Sequence, residues 1–172
     1  MSDPILQRLS TPSRVALVTG GTGFIGSHLV QALVLNGWDV HTITRKPVPY
    51  SDCIHTHCLS DNNHSIIPLF KFIKPEMVFH LATCFIAEHS PEQIGNLIEA
   101  NLHFGTQVLE GMAATGTTRI LNVGTAWQHM NHNQPDYHAV NLYAATKQAF
   151  EAILDYYCEA HCLKALTLTL FD

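Results

Sequence analysis

The chain has 172 residues, of which 47% are hydrophobic and 13% are charged, and its formal net charge is -5. This composition is typical of one α/β domain with a full core, and it excludes a disordered chain. The negative charge argues against nucleic acid as a partner, because general nucleic-acid binding needs a basic surface. Since no apolar run is long enough for a bilayer and the polar segment 1–13 lacks the apolar core of a signal peptide, we expect a cytoplasmic protein with no membrane partner.

The number and spacing of the cysteines and histidines do not indicate a set of disulfides or metal ligands. The five cysteines are an odd number without regular spacing, which favours reduced thiols. His55 and His57 would point to one face of a strand, and Cys158, His161 and Cys162 could share one face of a helix. Neither set completes a four-ligand pattern, so we interpret these residues as ordinary side chains and expect no metal site.

Strand and helix patterns alternate along the chain. The strands are predicted at 14–19, 39–44, 54–59, 77–81, 119–123 and 165–171. The helices are predicted at 24–36, 66–73, 91–115 and 142–161. In the first helix, Ile25, Leu29, Ala32 and Leu33 fall on one face. The alternation predicts a doubly wound, Rossmann-like parallel sheet with helices on both faces and the strand order 3-2-1-4-5-6.

A glycine-rich turn joins the first strand to the first helix. Gly20 allows a sharp turn out of the strand, Gly23 leaves room for a pyrophosphate against the backbone, and Gly26 allows the helix to pack closely on the strand. The N–H groups at the start of the helix would then face the phosphates. The pattern predicts a dinucleotide site, and a plain βα turn is the alternative for these glycines alone.

Tyr143 and Lys147 form a candidate acid/base pair. Four residues apart, they share one face of the last helix, and an ammonium beside a phenol lowers the pKa of that phenol. Thr125 follows the fifth strand at the carboxyl edge of the sheet, where ligands bind in α/β folds. Taken singly, a core tyrosine beside a solvated lysine and a turn threonine remain the alternatives.

Together these features resemble the extended branch of the short-chain dehydrogenase/reductase superfamily, the NAD-dependent epimerase/dehydratase family. Its H-x-A-[AG] motif matches at 80–83, and its N-x-x-G-T motif matches at 101–106. The likeness covers nearly the whole chain from Arg14. Segments 124–129 and 142–151 are most similar to nucleotide-sugar 4-keto reductases of the CDP-abequose and CDP-paratose synthase type, which belong to lipopolysaccharide O-antigen metabolism.

The resemblance implies an oxidoreductase that reduces a 4-keto-6-deoxy sugar nucleotide by hydride transfer. Tyr143 would exchange a proton with the sugar C4 oxygen, Lys147 would hold the nicotinamide ribose and tune Tyr143, and Thr125 would bond the same oxygen. The implied cofactor-binding residues are Gly20, Thr22, Gly23, Phe24, Ile25, Gly26, Thr44, Arg45, Lys46, Leu59, Leu81, Ala82, Thr83, Asn101, Tyr143 and Lys147.

The chain departs from the family pattern where the adenosine would bind. Thr44, followed by Arg45 and Lys46, stands where NAD-dependent members carry an acid, so we expect NADP(H), with NAD as the alternative. Alternatively, Arg45 and Lys46 are ordinary charged residues of a surface loop. Cys58 replaces the acid that contacts the adenine, which leaves Leu59 for that contact.

Two further departures concern activity. Ala126 and Trp127 replace the acidic pair of the dehydratases, which argues against that reaction. The chain stops at Asp172, where relatives continue into a substrate lobe. We therefore expect a flexible segment 1–13 and a dinucleotide-binding domain at 14–172 that lacks most or all of that lobe and turns over poorly.

Two other functions stay open. A nucleotide-sugar 4-epimerase would use the same three catalytic residues but hold its NAD tightly, and a catalytically idle dinucleotide-binding module, such as a sensor or regulatory partner, would bind the cofactor without turnover. In each enzymatic reading the substrate partner is a nucleotide sugar. We also expect a homodimer through the helices that carry Asn101 and Tyr143.

Overall fold

The computed structural model describes residues 14–48, 53–59, 66–129 and 138–171, so the predicted flexible segment 1–13 lies outside the described residues. The strands are β1 (Val15–Thr19), β2 (Asp39–Thr44), β3 (Ile54–Cys58), β4 (Met77–His80), β5 (Arg119–Thr125) and β6 (Lys164–Leu170). The α-helices are α1 (Phe24–Leu35), α2 (Ile67–Ile73), α3 (Ile94–Ile98), α4 (Phe104–Thr115) and α5 (Leu142–His161).

The described strands form a parallel sheet in the order β3-β2-β1-β4-β5-β6. This order confirms the prediction, and the strand ends fall within two residues of the predicted ones. The strand order changes direction between β1 and β4, because β2 and β3 extend from one side of β1 whereas β4, β5 and β6 extend from the other. Open α/β sheets bind ligands at the carboxyl ends of the strands beside such a change of direction. The topology therefore directs attention to the loops after β1, β4 and β5.

Two separate apolar layers cover the sheet. α1 packs on one face, where Val30 and Leu33 meet Ala16, Val18 and neighbouring side chains. The larger layer lies on the other face and is built from residues of α2, α4 and α5 around Leu17, Phe70 and Phe150. α1 covers its face without help from another described helix, whereas α2, α4 and α5 lie side by side.

The buried stripe of α1 differs from the predicted one. Gly26, Val30 and Leu33 are buried, whereas Ile25 is 47% exposed and Ala32 is exposed. A Cβ on Gly26 would overlap the carbonyl oxygen of Gly20, so this glycine must face the turn. That contact sets the rotation of the helix, and the residues four and seven positions further on share the buried face.

The predicted helix 91–115 is a series of four helical segments. A 3₁₀ turn at Pro91–Gln93 leads into α3, a π-helical segment at Glu99–His103 follows, and α4 completes the series. A π-helical segment widens the helix by one residue and is frequently found at functional sites. Here it contains Asn101.

The two edge strands are poorly covered. β6 is exposed along most of its length, including Leu166 and Leu168. β3 is at most half-buried. Among the described residues, no helix combines the length and the apolar character needed to cross a membrane.

Candidate active site and nucleotide crevice

The glycine turn leaves its backbone open to a ligand. Gly20 has a φ of +71°, and a Cβ there would lie 2.7 Å from the amide nitrogen of Ala82. A Cβ on Gly23 would meet only the Gly20 carbonyl oxygen within 4 Å among the described atoms. No side chain caps the start of α1, and no acidic residue lies in its first turn. A diphosphate could therefore approach these N–H groups and the positive end of the helix dipole.

A buried threonine and histidine join the end of β1 to the loop after β4. Thr19 Oγ1 lies 2.9 Å from His80 Nδ1 and accepts a 3.1 Å hydrogen bond from the Ala82 amide. Burial, together with the charge on Lys147, lowers the pKa of His80 to about 3. His80 is therefore neutral at physiological pH and can serve as a fixed hydrogen-bonding partner that orients the loop.

Asn101 holds the same loop from the helical side. Its Oδ1 accepts hydrogen bonds from the Cys84 amide at 2.7 Å and from the Thr83 hydroxyl at 3.0 Å. Its Nδ2 donates to the Cys84 carbonyl at 3.1 Å and to Thr146 Oγ1 at 2.9 Å. All four hydrogen-bonding positions of the amide are thus used within the protein. Asn101 is a positioning residue in this arrangement, and its direct contact with a cofactor stays a prediction.

Tyr143 and Lys147 occupy the first turns of α5. The Asn141 side chain accepts a 2.8 Å hydrogen bond from the Ala144 amide and so caps this helix. Lys147 is 4% exposed, and among the described residues it has no hydrogen-bond or ion-pair partner. Burial lowers the pKa of Lys147 to about 8, and the Glu151 carboxylate opposes that shift. A buried ammonium without a partner is costly, so this lysine is suited to receive ligand oxygens.

Thr125 is the last residue of β5 and the N-cap of a 3₁₀ turn at Ala126–Gln128. Its Oγ1 accepts a 3.3 Å hydrogen bond from the Trp127 amide, which is the turn role that the sequence left open. That bond uses one acceptor position and leaves the hydroxyl proton for donation. Gln128 Nε2 donates to Gln148 Oε1 at 2.9 Å and thereby ties this turn to α5 next to Lys147.

An aromatic cluster connects the 3₁₀ turn at Ala126–Gln128 with α5. The Phe85 ring is edge-on to the Tyr143 ring at a centroid distance of 5.0 Å and lies 5.5 Å from the Trp127 ring. Phe85 is 58% exposed, whereas Tyr143 is buried. Phe85 and Trp127 thus form an apolar wall beside the tyrosine.

The end of β2 presents a polar group without a partner. The Oγ1 of Thr44 is buried and makes no hydrogen bond among the described residues. Arg45 and Lys46, which follow it, are exposed. The amide of Leu59 donates to the Thr44 carbonyl at 3.0 Å, so the loop after β3 lies beside this position.

A model of the NAD dependent epimerase/dehydratase family matches residues 16–172. The chain belongs to this family. The match agrees with the resemblance seen in the motifs, and it covers every element of the described sheet. The chain spans about half the length of two of the curated relatives it matches, and 36% and 27% of the length of two others.

The chain is similar to curated enzymes in sequence and to solved epimerases in structure. The chain is 25% identical to the CDP-abequose synthase of Yersinia pseudotuberculosis, over 82% of this chain and 50% of the relative. It is 27% identical to the UDP-glucose 4-epimerase of Thermus thermophilus, solved as a complex with NAD, with a TM-score of 0.77 over 90% of this chain and 54% of that one. The UDP-glucose 4-epimerase of Brucella ovis in complex with NAD has a TM-score of 0.81 at 19% identity, covering 93% of this chain and 52% of that one, which shows the fold alone.

Three observations fit a dinucleotide cofactor of the NAD dependent epimerase/dehydratase family. The glycine turn leaves backbone space at Gly23, the hydroxyl of Thr44 is unpartnered, and the ammonium of Lys147 is buried. The glycine turn follows β1, Thr44 is the last residue of β2, and the charge of Lys147 acts on His80 at the end of β4. The sequence-predicted residues of the turn and of the loop after β4 meet directly, since Gly20 contacts Leu81 and Ala82.

Reasoning from the sequence missed several residues of the candidate site. Thr19, Phe85, Gln128 and Thr146 connect the predicted groups, yet each makes its key contacts with residues distant in sequence. A polar residue at the end of an apolar strand was the available signal for Thr19. The remaining three carry no local signal, because turn and helix positions accept their residue types for many reasons.

Proposed function

We propose that this chain is the cofactor-binding and catalytic portion of an NADP(H)-linked oxidoreductase that reduces a 4-keto-6-deoxy sugar nucleotide. The observation that carries the proposal is the buried side chain of Lys147, four residues after Tyr143 on α5, whose ammonium makes no hydrogen bond among the described residues and is influenced by the Glu151 carboxylate. A purely structural lysine would extend into solvent or pair with a carboxylate. A buried lysine that makes no hydrogen bond is better explained by a ligand that supplies oxygens to its ammonium.

The proposed roles follow from the chemistry of each group. Lys147 binds the ribose hydroxyls next to the nicotinamide, and its positive charge stabilises the negative charge that Tyr143 gains when it gives up its proton. Tyr143 donates its proton to the C4 oxygen of the sugar as that oxygen gains charge, and Thr125 donates a hydrogen bond to the same atom. When bound, the nicotinamide supplies the hydride that reduces the C4 carbon.

The preference for NADP(H) is supported by the end of β2. Thr44 brings no charge to that position, whereas an acid there would repel a 2′-phosphate. The exposed guanidinium of Arg45 can form two parallel hydrogen bonds with a phosphate. Lys46 adds a second positive charge beside it.

A 4-epimerase is the second candidate. It is favoured by the likeness to the epimerase of Thermus thermophilus, which was solved with NAD. An epimerase regenerates its cofactor in each turnover and retains it, whereas a reductase must exchange it. The absorbance of nicotinamide that stays with the purified protein separates these two functions.

The decisive experiment compares Tyr143→Phe with Tyr156→Phe. Both tyrosines lie on α5, but Tyr156 is exposed at the far end of the helix and serves as the matched control. NADPH and NADH are titrated first, and we expect tighter binding of NADPH. NADPH consumption with a 4-keto-6-deoxy sugar nucleotide should then fall by about 10²–10⁴-fold in Tyr143→Phe and persist in Tyr156→Phe.

Other outcomes would reject the proposal. If neither coenzyme binds, the cofactor site is wrong. If both coenzymes bind and neither variant nor wild type consumes NADPH, the chain is an idle dinucleotide-binding module.

We further propose a symmetric homodimer through α3, α4 and α5. Ile94 and Ile98 lie one turn apart on α3, and both are exposed. Two copies of such an apolar stripe can bury each other across a twofold axis. Sedimentation of wild type and of Ile98→Lys tests this assembly, which the substitution should disrupt.

A further inference from the structure

Four side chains form a compact cluster on the edge of the sheet, apart from the nucleotide crevice. Asp39 and His41 of β2 project from the same face as His55 and His57 of β3, since His41 pairs with His55 in the parallel register. Asp39 Oδ1 lies 3.1 Å from His55 Nε2, and Asp39 Oδ2 lies 3.6 Å from His41 Nε2. The rings of His41 and His55 are stacked with centroids 4.6 Å apart.

The spacing of these atoms matches a metal coordination sphere. One ligand atom from each of Asp39, His41 and His55 lies within 4.8 Å of the other two. Ligand atoms at about 2.0–2.2 Å from a tetrahedral Zn²⁺ are about 3.4 Å apart. The separations from the Asp39 carboxylate, 3.1 Å from Oδ1 to His55 Nε2 and 3.6 Å from Oδ2 to His41 Nε2, lie close to that value and involve its two different oxygens. Small side-chain movements would therefore complete the geometry.

His57 orients the buried ligand of this cluster. His41 Nδ1 lies 2.9 Å from His57 Nε2, so one ring donates a proton to the other. If His41 Nδ1 is the donor, then His41 Nε2 carries a lone pair directed towards Asp39. Metal-binding histidines almost always donate their second ring nitrogen in this way, which fixes the tautomer.

We propose that Asp39, His41 and His55 bind a divalent transition metal of the Zn²⁺ type, with His57 as a positioning residue. Two imidazoles and one carboxylate suit such a metal, whereas Mg²⁺ prefers six oxygen ligands. A water molecule would take the remaining position. The half-exposed carboxylate of Asp39 and the exposed ring of His55 give the ion a path from solvent.

This site is distinct from the cofactor site. Asp39 begins β2 and Thr44 ends it, so about 16 Å of strand separates the two at about 3.3 Å per residue. A bound metal would connect β2 to the poorly covered edge strand β3, which carries Leu59 at its end. Metal binding would thus stabilise the loop on which the adenine contact of the proposed function depends.

The test uses the full chain without an affinity tag, and Zn²⁺ as the probe. Calorimetric titration should give one strong site per chain, and the melting temperature should rise with Zn²⁺ and not with Mg²⁺. His55→Ala and Asp39→Asn should weaken binding by at least about tenfold, and His57→Ala should weaken it by about 10–100-fold. His103→Ala is the matched control, because His103 also pairs with a carboxylate, Glu99, but has no third ligand among the described residues.

Titration with Co²⁺ distinguishes this site from the cysteines. The proposed ligands give a spectrum without thiolate charge-transfer bands, and that spectrum should vanish in His55→Ala. The proposal is overturned if strong binding is absent, if His55→Ala binds as well as His103→Ala, or if thiolate bands accompany binding. Because His55 is exposed, its substitution leaves the core unchanged, and coenzyme titration of the same variant and of the wild type, both without metal, reports separately on the proposed function.

Discussion

Asn101 Nδ2 donates a 2.9 Å hydrogen bond to Thr146 Oγ1, and this bond joins the π-helical segment to the helix that carries Tyr143 and Lys147. Thr146 donates its own hydroxyl proton to the Tyr143 carbonyl at 2.7 Å. The loop after β4 is therefore connected through one amide to the first turn of α5. This connection gives Asn101 a structural role in the described fold.

Asn101→Asp should destabilise the protein. The substitution replaces two N–H donors with an acceptor that faces the Cys84 carbonyl and Thr146 Oγ1. Leaving such buried groups unsatisfied costs about 1–3 kcal/mol each. Urea unfolding measures the loss, and Asn96→Asp on the exposed surface of α3 is the control. Equal stability of the two variants would contradict the positioning role.

Gly26→Ala should reduce coenzyme affinity. The added methyl group overlaps the Gly20 carbonyl, so the turn must open and the N–H groups at the start of α1 must move. Overpacking of this kind costs about 1–3 kcal/mol. Gly95→Ala is the control, because a Cβ there meets nothing within 4 Å, and it should be neutral or stabilising. Unchanged affinity for both coenzymes in Gly26→Ala would argue against a phosphate site at this turn.

Lys147→Met should show that burial of the ammonium is destabilising. The pKa of Lys147 is about 8 in the folded state, below its ordinary value of 10.5. The unfolded chain therefore binds more protons between these two pH values, and stability of the wild type should rise with pH across that window. Below pH 8 the variant should be more stable by on the order of 3 kcal/mol, and this advantage should disappear by pH 10.5.

The measurement for Lys147→Met is denaturant unfolding at a series of pH values. Lys71→Met, at an exposed position on α2, is the control and should show no such trend. A stability difference between wild type and Lys147→Met that stays constant from pH 8 to pH 10.5 would refute the assigned pKa. Turnover should fall in Lys147→Met even where stability rises.

Arg45→Glu should change the coenzyme preference. The substitution places a carboxylate where a 2′-phosphate would be bound, and loss of a charged hydrogen bond costs about 1.5–3 kcal/mol, or roughly 10–150-fold in affinity. Affinity for NADPH should drop by that factor, while affinity for NADH stays nearly constant. Lys71→Glu controls for the change in net charge. Equal losses of affinity for NADPH and NADH would mean that Arg45 does not bind the 2′-phosphate.

Much of the fold could be predicted because its signals are local. The apolar β-branched strands, the glycines after β1 and the helix-ending Gly116 each act through neighbouring residues. The order of the strands followed from the handedness of their connections. The division of 91–115 into 3₁₀, α and π segments could not be predicted, because the π geometry depends on the contacts of Asn101 with Cys84 and Thr146.

The residues of the candidate site remain predictions from sequence motifs, whereas their environment is a property of the tertiary structure. Tyr143, Lys147 and Thr125 were identified from motifs, but the burial of Lys147 depends on how α5 packs on the sheet. The stripe of α1 was predicted wrongly at Ile25 and Ala32, since periodicity alone does not register the close approach of Gly26 to Gly20. His41 was not identified beside His55, because their pairing is a property of the β2–β3 register.

The amino-acid sequence by itself determined the class of fold, the position of the glycine turn and the membership of the family, since periodicity and short motifs encode these within a few residues. Only the tertiary structure decided which polar atoms lose water and which find partners. That outcome depends on the packing of distant segments, and it separates Thr44, whose buried hydroxyl makes no hydrogen bond among the described residues, from Asn101, whose hydrogen bonds are complete.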